Sequence, residues 1–129
     1  MAIALNDGVR KMIDDPNFGI VATINSDGSP QTSVLWITRD GDDLLFGTVR
    51  GRRKERNMAR DPRVSVTVLN RADGYEYVEI RGTATMTEDG GRELMNDLSH
   101  KYDGTDFPAE PPERVRVVVR VTPTHVVEF

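Results

Sequence analysis

The densest chemistry in the sequence lies in Thr48-Val49-Arg50-Gly51-Arg52-Arg53-Lys54-Glu55-Arg56-Asn57. Arg50, Arg52, Arg53, Lys54, Arg56, Arg60 and Arg63 cluster there, although the chain carries 17 Lys+Arg against 21 Asp+Glu, a formal charge of −4. A basic patch in an acidic protein focuses potential toward an anionic ligand. The stretch follows an expected strand and opens an expected helix, whose first N–H groups lack internal partners and suit an anion. Gly51 lets the backbone approach a ligand closely. Arginine adds a forked donor for phosphate or carboxylate, and lysine a mobile point charge. The spacing is not that of a Walker A loop, since no Gly-Lys-Ser/Thr follows, and no G-x-G-x-x-G occurs. A solvated helix face, neutralised by Glu55, Asp61 and Glu93, is the competing reading.

Other reactive side chains are sparse. The absence of cysteine excludes disulfides and thiolate chemistry. His100 follows Ser99, but adjacent helical residues point in different directions, so a surface role is expected. His125 is expected to be structural, and the two histidines make no zinc pattern. No metal site is expected. Trp36 suits either the core or a ligand wall, and Tyr75 and Tyr77 suit an interface.

The elements that must position these groups follow from hydrophobic periodicity. Leu5, Val9, Met12 and Ile13 have helical spacing, and Pro16 lies beyond them. Phe18–Ile24 and Gln31–Thr38 read as strands around the Ser26–Pro30 turn. In the second, Val34, Trp36 and Thr38 share one face and Leu35 and Ile37 the other. Leu44–Thr48 is a third strand, a short helix spans Gly51 to Arg60, and Val64, Val66 and Val68 mark a fourth strand. Tyr75–Met86 forms a fifth strand and Glu88–Tyr102 a helix with Leu94, Met95 and Leu98 as its apolar stripe. Pro108, Pro111 and Pro112 mark a loop before one or two strands over Val115–Val127. Five or six strands joined by short turns, in 129 residues, predict one small antiparallel barrel, mainly β with short helices. The single domain spans residues 1–129. Nothing reads as a secretory signal or a membrane span, so a soluble cytoplasmic protein is expected.

The strand leading into Gly51-Arg52-Arg53-Lys54, the short helix and Asp61-Pro62-Arg63-Val64-Ser65 resemble the pyridoxamine 5′-phosphate oxidase-like superfamily. Gly19-Ile20-Val21-Ala22-Thr23-Ile24, the Asp27-Gly28-x-Pro30 turn and Glu79-Ile80-Arg81-Gly82-Thr83-Ala84 agree in order and spacing, from about Leu5 to Phe129. The resemblance implies a split β-barrel of the FMN-binding-protein type, a homodimer with two cofactor sites at the subunit interface. It implies that Arg52, Arg53 and Lys54 hold the cofactor phosphate, with Gly51 and Asn57 in the same segment. Ser33, Val34 and Trp36 would lie against the ring system, and Thr48 would contact the cofactor near the end of its strand. Tyr77 would reach the site of the partner subunit, at a position where flavin-binding relatives often carry Gln. The carboxy-terminal residues that pyridoxamine phosphate oxidases use on their substrate have no counterparts here, so vitamin B6 oxidation is not implied.

Two cofactors fit this resemblance, coenzyme F420 and FMN. The short chain and its overall pattern look most like deazaflavin-dependent members. FMN ends in one phosphate, whereas the deazaflavin carries a phosphodiester and several tail carboxylates, and the charge from Arg50 to Arg60 exceeds what one phosphate requires. The expected activity is hydride transfer from reduced coenzyme F420 to a small conjugated acceptor, with the cofactor supplying the hard chemistry. No catalytic residue is assigned. A non-catalytic cofactor-binding module of the same fold is the alternative. Nucleic-acid binding is not expected, because the basic stretch lacks interleaved aromatics for base stacking.

Overall fold

The computed structural model describes residues 2–128. In chain order the elements are α1 (Asp7–Asp14), β1 (Phe18–Ile24), β2 (Pro30–Leu35), β3 (Thr38–Asp40), β4 (Asp43–Val49), α2 (Arg53–Arg60), β5 (Arg63–Leu69), β6 (Tyr77–Thr87), α3 (Gly91–Asp103) and β7 (Arg116–Glu128). Among the described residues the strands form one seven-stranded sheet, ordered β2-β1-β5-β6-β7-β4-β3, with every neighbouring pair antiparallel.

The strand expected over Gln31–Thr38 is in fact two strands at opposite edges of this sheet. β2 pairs with β1, whereas β3 pairs with β4 through Thr38↔Leu45. Only Trp36 and Ile37 separate them. Consecutive Cα atoms are ~3.8 Å apart, so Leu35 and Thr38 lie within about 11 Å. The two sheet edges must therefore approach one another, and the sheet curls into a barrel. Alternation alone cannot reveal such a break, because the side-chain period continues across the crossover.

Inward residues of successive strands fill the barrel. Val21, Leu44, Phe46, Val66, Val68, Ile80, Val119 and Val121 are completely buried. α2 packs on β1, β4 and β6, which are spread across the sheet order, and so covers one end of the barrel. It consists of good helix formers and stops at Asp61, before Pro62, where the helical conformation is disfavoured. α1 packs on β3 and β5, with Asn6 capping its first turn by accepting from the Val9 amide at 2.9 Å.

α3 lies outside the barrel against β4 and β7. Leu94, Met95 and Leu98 form a second apolar cluster there with Trp36, Leu45, Tyr102, Phe107 and Val118. Apolar residues on both faces of β2 do not mean that both faces are covered within the chain. Val34, beside Ile20 in register, is 65% exposed.

Candidate functional site

A cavity of about 320 Å³ lies at the break between β2 and β3. One wall is Val34, Leu35 and Trp36, and Phe18 of β1 joins it. Gly47 of β4, Met95 and Leu98 of α3 and Arg116 of β7 also line it, and Arg52 and Lys54 reach it from the start of α2. Apolar and aromatic walls with a few convergent cations suit a flat organic ring carrying an anionic group. Gly47 is needed for shape: a Cβ there would lie 2.5 Å from Met95 Sδ.

Of the residues singled out from sequence, Val34, Trp36, Arg52 and Lys54 line the cavity. Ser33 is tied to them, because Lys54 Nζ donates to Ser33 Oγ at 3.0 Å. Gly51 occupies the left-handed region with φ +95°, which a side chain would strain. Its amide donates to Glu55 Oε1 at 2.7 Å, fixing the turn into α2. Arg53 is exposed on the first helical turn.

Three expected site residues stand elsewhere. Thr48 alternates with Gly47 and faces the barrel interior beside Phe46; it is 1% exposed, and its hydroxyl has no hydrogen-bond partner among the described residues. Asn57 is also 1% exposed, and its amide donates to Thr23 Oγ1 at 3.0 Å and Asn25 Oδ1 at 2.9 Å, locking α2 to β1. Tyr77 lines a different recess with Val9, Met12 and Glu128.

The basic cluster is partly neutralised, as the competing reading holds. Arg50 pairs with Glu55 and Glu88 at 3.4 and 3.1 Å, and Arg63 pairs with Asp61 at 2.7 Å. Arg60 donates to the Ile24 carbonyl. Glu93 takes no part among the described residues. Arg52, Arg53 and Arg56 form no ion pair among the described residues. Lys54 is half-buried, and burial, with the neighbouring Arg52 guanidinium second, pushes its ammonium below the usual lysine range. A cation so placed gains from an anion in the cavity.

Several features were not evident from sequence. Arg116 forms a buried pair with Glu110, NH2 to Oε1 at 2.7 Å, with side chains 9% and 6% exposed. It also lies over the Phe107 ring at 5.3 Å. Tyr102 stacks on Trp36, with centroids 5.4 Å apart and planes within 9°. Met95 and Leu98 were legible as an apolar stripe, but nothing in the local pattern told core from cavity. His100 does find a carboxylate, Asp106 at 2.6 Å, yet both are exposed and Ser99 is buried on another face. That arrangement is a surface pair, without a nucleophile. His125 is exposed on β7 opposite Arg81. No group of three or more metal-ligating side chains is assembled among the described residues, and none of its helices is long and apolar enough to cross a membrane.

Residues 5–128 match the pyridoxamine 5′-phosphate oxidase family. Among solved structures, an F420 reductase is similar at 30% identity, with a TM-score of 0.83 over 95% of this chain and 98% of the other. A conserved hypothetical protein from Mycobacterium tuberculosis shares the fold at 20% identity and TM-score 0.80, covering 99% and 86%. A putative pyridoxamine 5′-phosphate oxidase from Listeria innocua does so at 20% identity and TM-score 0.74, covering 95% and 96%. The curled antiparallel sheet is thus a split barrel of an oxidoreductase-type, flavin-binding fold. The chain belongs to the pyridoxamine 5′-phosphate oxidase family.

Proposed function

We propose that this protein is a coenzyme F420-dependent reductase that passes a hydride to a small conjugated organic acceptor. The observation that carries the reading is Lys54, half-buried beside Arg52 at a cavity whose walls include Trp36, Val34, Met95 and Leu98. The 30% identity to an F420 reductase over nearly the whole chain supports the choice of cofactor. So do Arg53 and Arg56, exposed cations in α2 that form no ion pair among the described residues, which suit a ligand with several negative charges.

The donor set fits such a group. Lys54, Arg52 and the uncapped amino end of α2 would take its phosphate, and the Val34–Trp36 wall its ring. When bound, the reduced deazaflavin supplies the hydride. The chain's own residues bind and orient it, and Trp36, Phe18 and Leu98 exclude water from the ring end. No side chain is assigned as a proton donor.

The proposed working form is a cytoplasmic homodimer with a cofactor site at each interface. Its support in the single chain is Val34, an apolar residue 65% exposed at the cavity edge, with Ile20 beside it. A second copy over that face would bury Val34 and bring Tyr77 toward the neighbouring cavity.

FMN is the second reading, favoured by one observation. Lys54 is the cluster cation that is both half-buried and held at the cavity by a hydrogen bond, a grip that a single phosphate satisfies. Titration with coenzyme F420 and with FMN, followed by quenching of Trp36, separates the two. Tighter F420 binding, and oxidation of the reduced cofactor when enones or quinones are added, is the expected result. Binding without consumption would make the protein a carrier. Binding of neither would overturn the reading.

A further inference from the structure

The crossover that closes the barrel creates a local difficulty. Ile37 is completely buried yet lies outside any strand, so neither its N–H nor its C=O has a ladder partner. Buried backbone polar groups must be paired, or they cost as much as a lost hydrogen bond. Two consecutive residues of α3 meet both needs. The Ile37 amide donates to the Tyr102 hydroxyl at 3.1 Å, and Lys101 Nζ donates to the Ile37 carbonyl at 2.6 Å.

The same two residues reach across to the first segment of the chain. The Tyr102 hydroxyl donates to the Asn17 carbonyl, and Lys101 Nζ donates to the Ile13 carbonyl. Asn17 is itself rigid, its amide donating to the Met12 carbonyl at 2.9 Å and its Oδ1 accepting from the Arg71 amide at 3.0 Å. Burial raises the Tyr102 phenol above its usual value, so it remains a protonated donor.

Above this anchor the Tyr102 ring stacks on Trp36, and Phe18 also stacks on Tyr102, with centroids 6.1 Å apart. Phe107 meets the Trp36 ring edge-on at 6.4 Å. Trp36 is thus held at its backbone neighbour and at its ring by one side chain. Met95, Leu98 and Tyr102 fall at i, i+3 and i+7 on α3, one stripe of a helix. That stripe delivers two cavity walls directly and the support of a third indirectly.

We propose that Tyr102 is a positioning residue that fixes the Trp36 indole as the wall against which a flat conjugated ring is seated. The proposal deepens the cofactor-binding reading above and rests on it for the identity of the ligand. Lys101 assists by holding the crossover carbonyl, so that the Trp36–Ile37 backbone cannot turn. Nothing in the arrangement requires Tyr102 to touch the ligand.

The test is a double-mutant cycle with Tyr102→Phe and Trp36→Leu, using FMN and coenzyme F420 as separate probes. Because Tyr102→Phe keeps the ring and removes only the hydroxyl, it leaves the fold intact, as far-UV circular dichroism should verify. It is expected to weaken cofactor binding about fivefold, a part of the effect of losing the bonds from the Ile37 amide and to the Asn17 carbonyl. In the Trp36→Leu background the same change should have no effect, because the residue it acts through is gone. A purely structural role predicts an equal loss in both backgrounds, and that result would overturn the proposal. A second readout needs no ligand. Trp36 is the only tryptophan, so its long-wavelength near-UV dichroism band should weaken in Tyr102→Phe, and its fluorescence should become more accessible to acrylamide. An unchanged band and unchanged quenching would refute the positioning role. A wild-type chain that binds neither cofactor would remove the functional reading alone, leaving this spectral arm to decide the placement of Trp36.

Discussion

Replacing Lys54 by Met keeps most of the aliphatic stem but removes the ammonium that donates to Ser33 Oγ at 3.0 Å. Hydrogen bonds to charged groups contribute ~1.5–3 kcal/mol, and each 1.4 kcal/mol is about tenfold in affinity. The half-buried position places Lys54 within that range, whereas exposed cations contribute only ~0–1 kcal/mol each. Lys54→Met should therefore weaken binding of the phosphate-bearing cofactor about 10- to 100-fold. Arg56→Ala, on the exposed part of α2, should weaken it no more than about fivefold. The pH dependence carries a further sign. Burial, and then Arg52, hold the free Lys54 ammonium below its usual range, while a bound anion would raise it again. Affinity should be full below the free-state value and decline as pH rises through it, earlier than an ordinary lysine would allow. The decline should be absent from Lys54→Met. Isothermal titration at several pH values, in low and moderate salt, reads both effects. Equal affinities for Lys54→Met and wild type would refute the anion site, since no other cluster cation at this cavity is both half-buried and hydrogen-bonded to β2.

Other perturbations test separate parts of the structure. Glu110→Ala strands Arg116 in a pair only 9% and 6% exposed, and urea unfolding should show a loss of about 3 kcal/mol. Lys101 is pushed by burial down to about 8, against the pull of Asp14 and Asp15. The unfolded chain then binds more protons between that value and the usual 10.5, so stability should rise with pH across this window. With solvent screening the rise should be on the order of 1 kcal/mol, and Lys101→Met should abolish it in denaturation curves. Gly47→Ala puts a Cβ 2.5 Å from Met95 Sδ. The flexible thioether must shift toward the cavity, so cofactor affinity should fall with a stability cost of about 1 kcal/mol. Val34→Asp should dissociate the proposed homodimer, read by sedimentation velocity, while leaving the monomer folded.

The sequence alone determined the all-antiparallel barrel and the position of its helices, because turn residues and apolar periodicity are local signals. It also singled out the segment proposed here as an anion site, since Gly51 and the cations from Arg52 to Lys54 are contiguous in the chain. Only the tertiary structure decided which of these groups face one another. The Trp36–Ile37 break lies inside an uninterrupted β pattern, and it became visible once Val34 and Thr38 were found on opposite sheet edges. The family resemblance implies that Thr48 contacts the cofactor, but strand alternation beside Gly47 turns its side chain into the barrel. Asn57, one turn beyond Lys54, faces the barrel end, because a helix that presents Lys54 to the cavity must bury the side carrying Met58. Tyr102 and Arg116 gave no local sign at all. Their partners, Trp36 and Glu110, are joined to them by packing and charge between segments that only folding brings together.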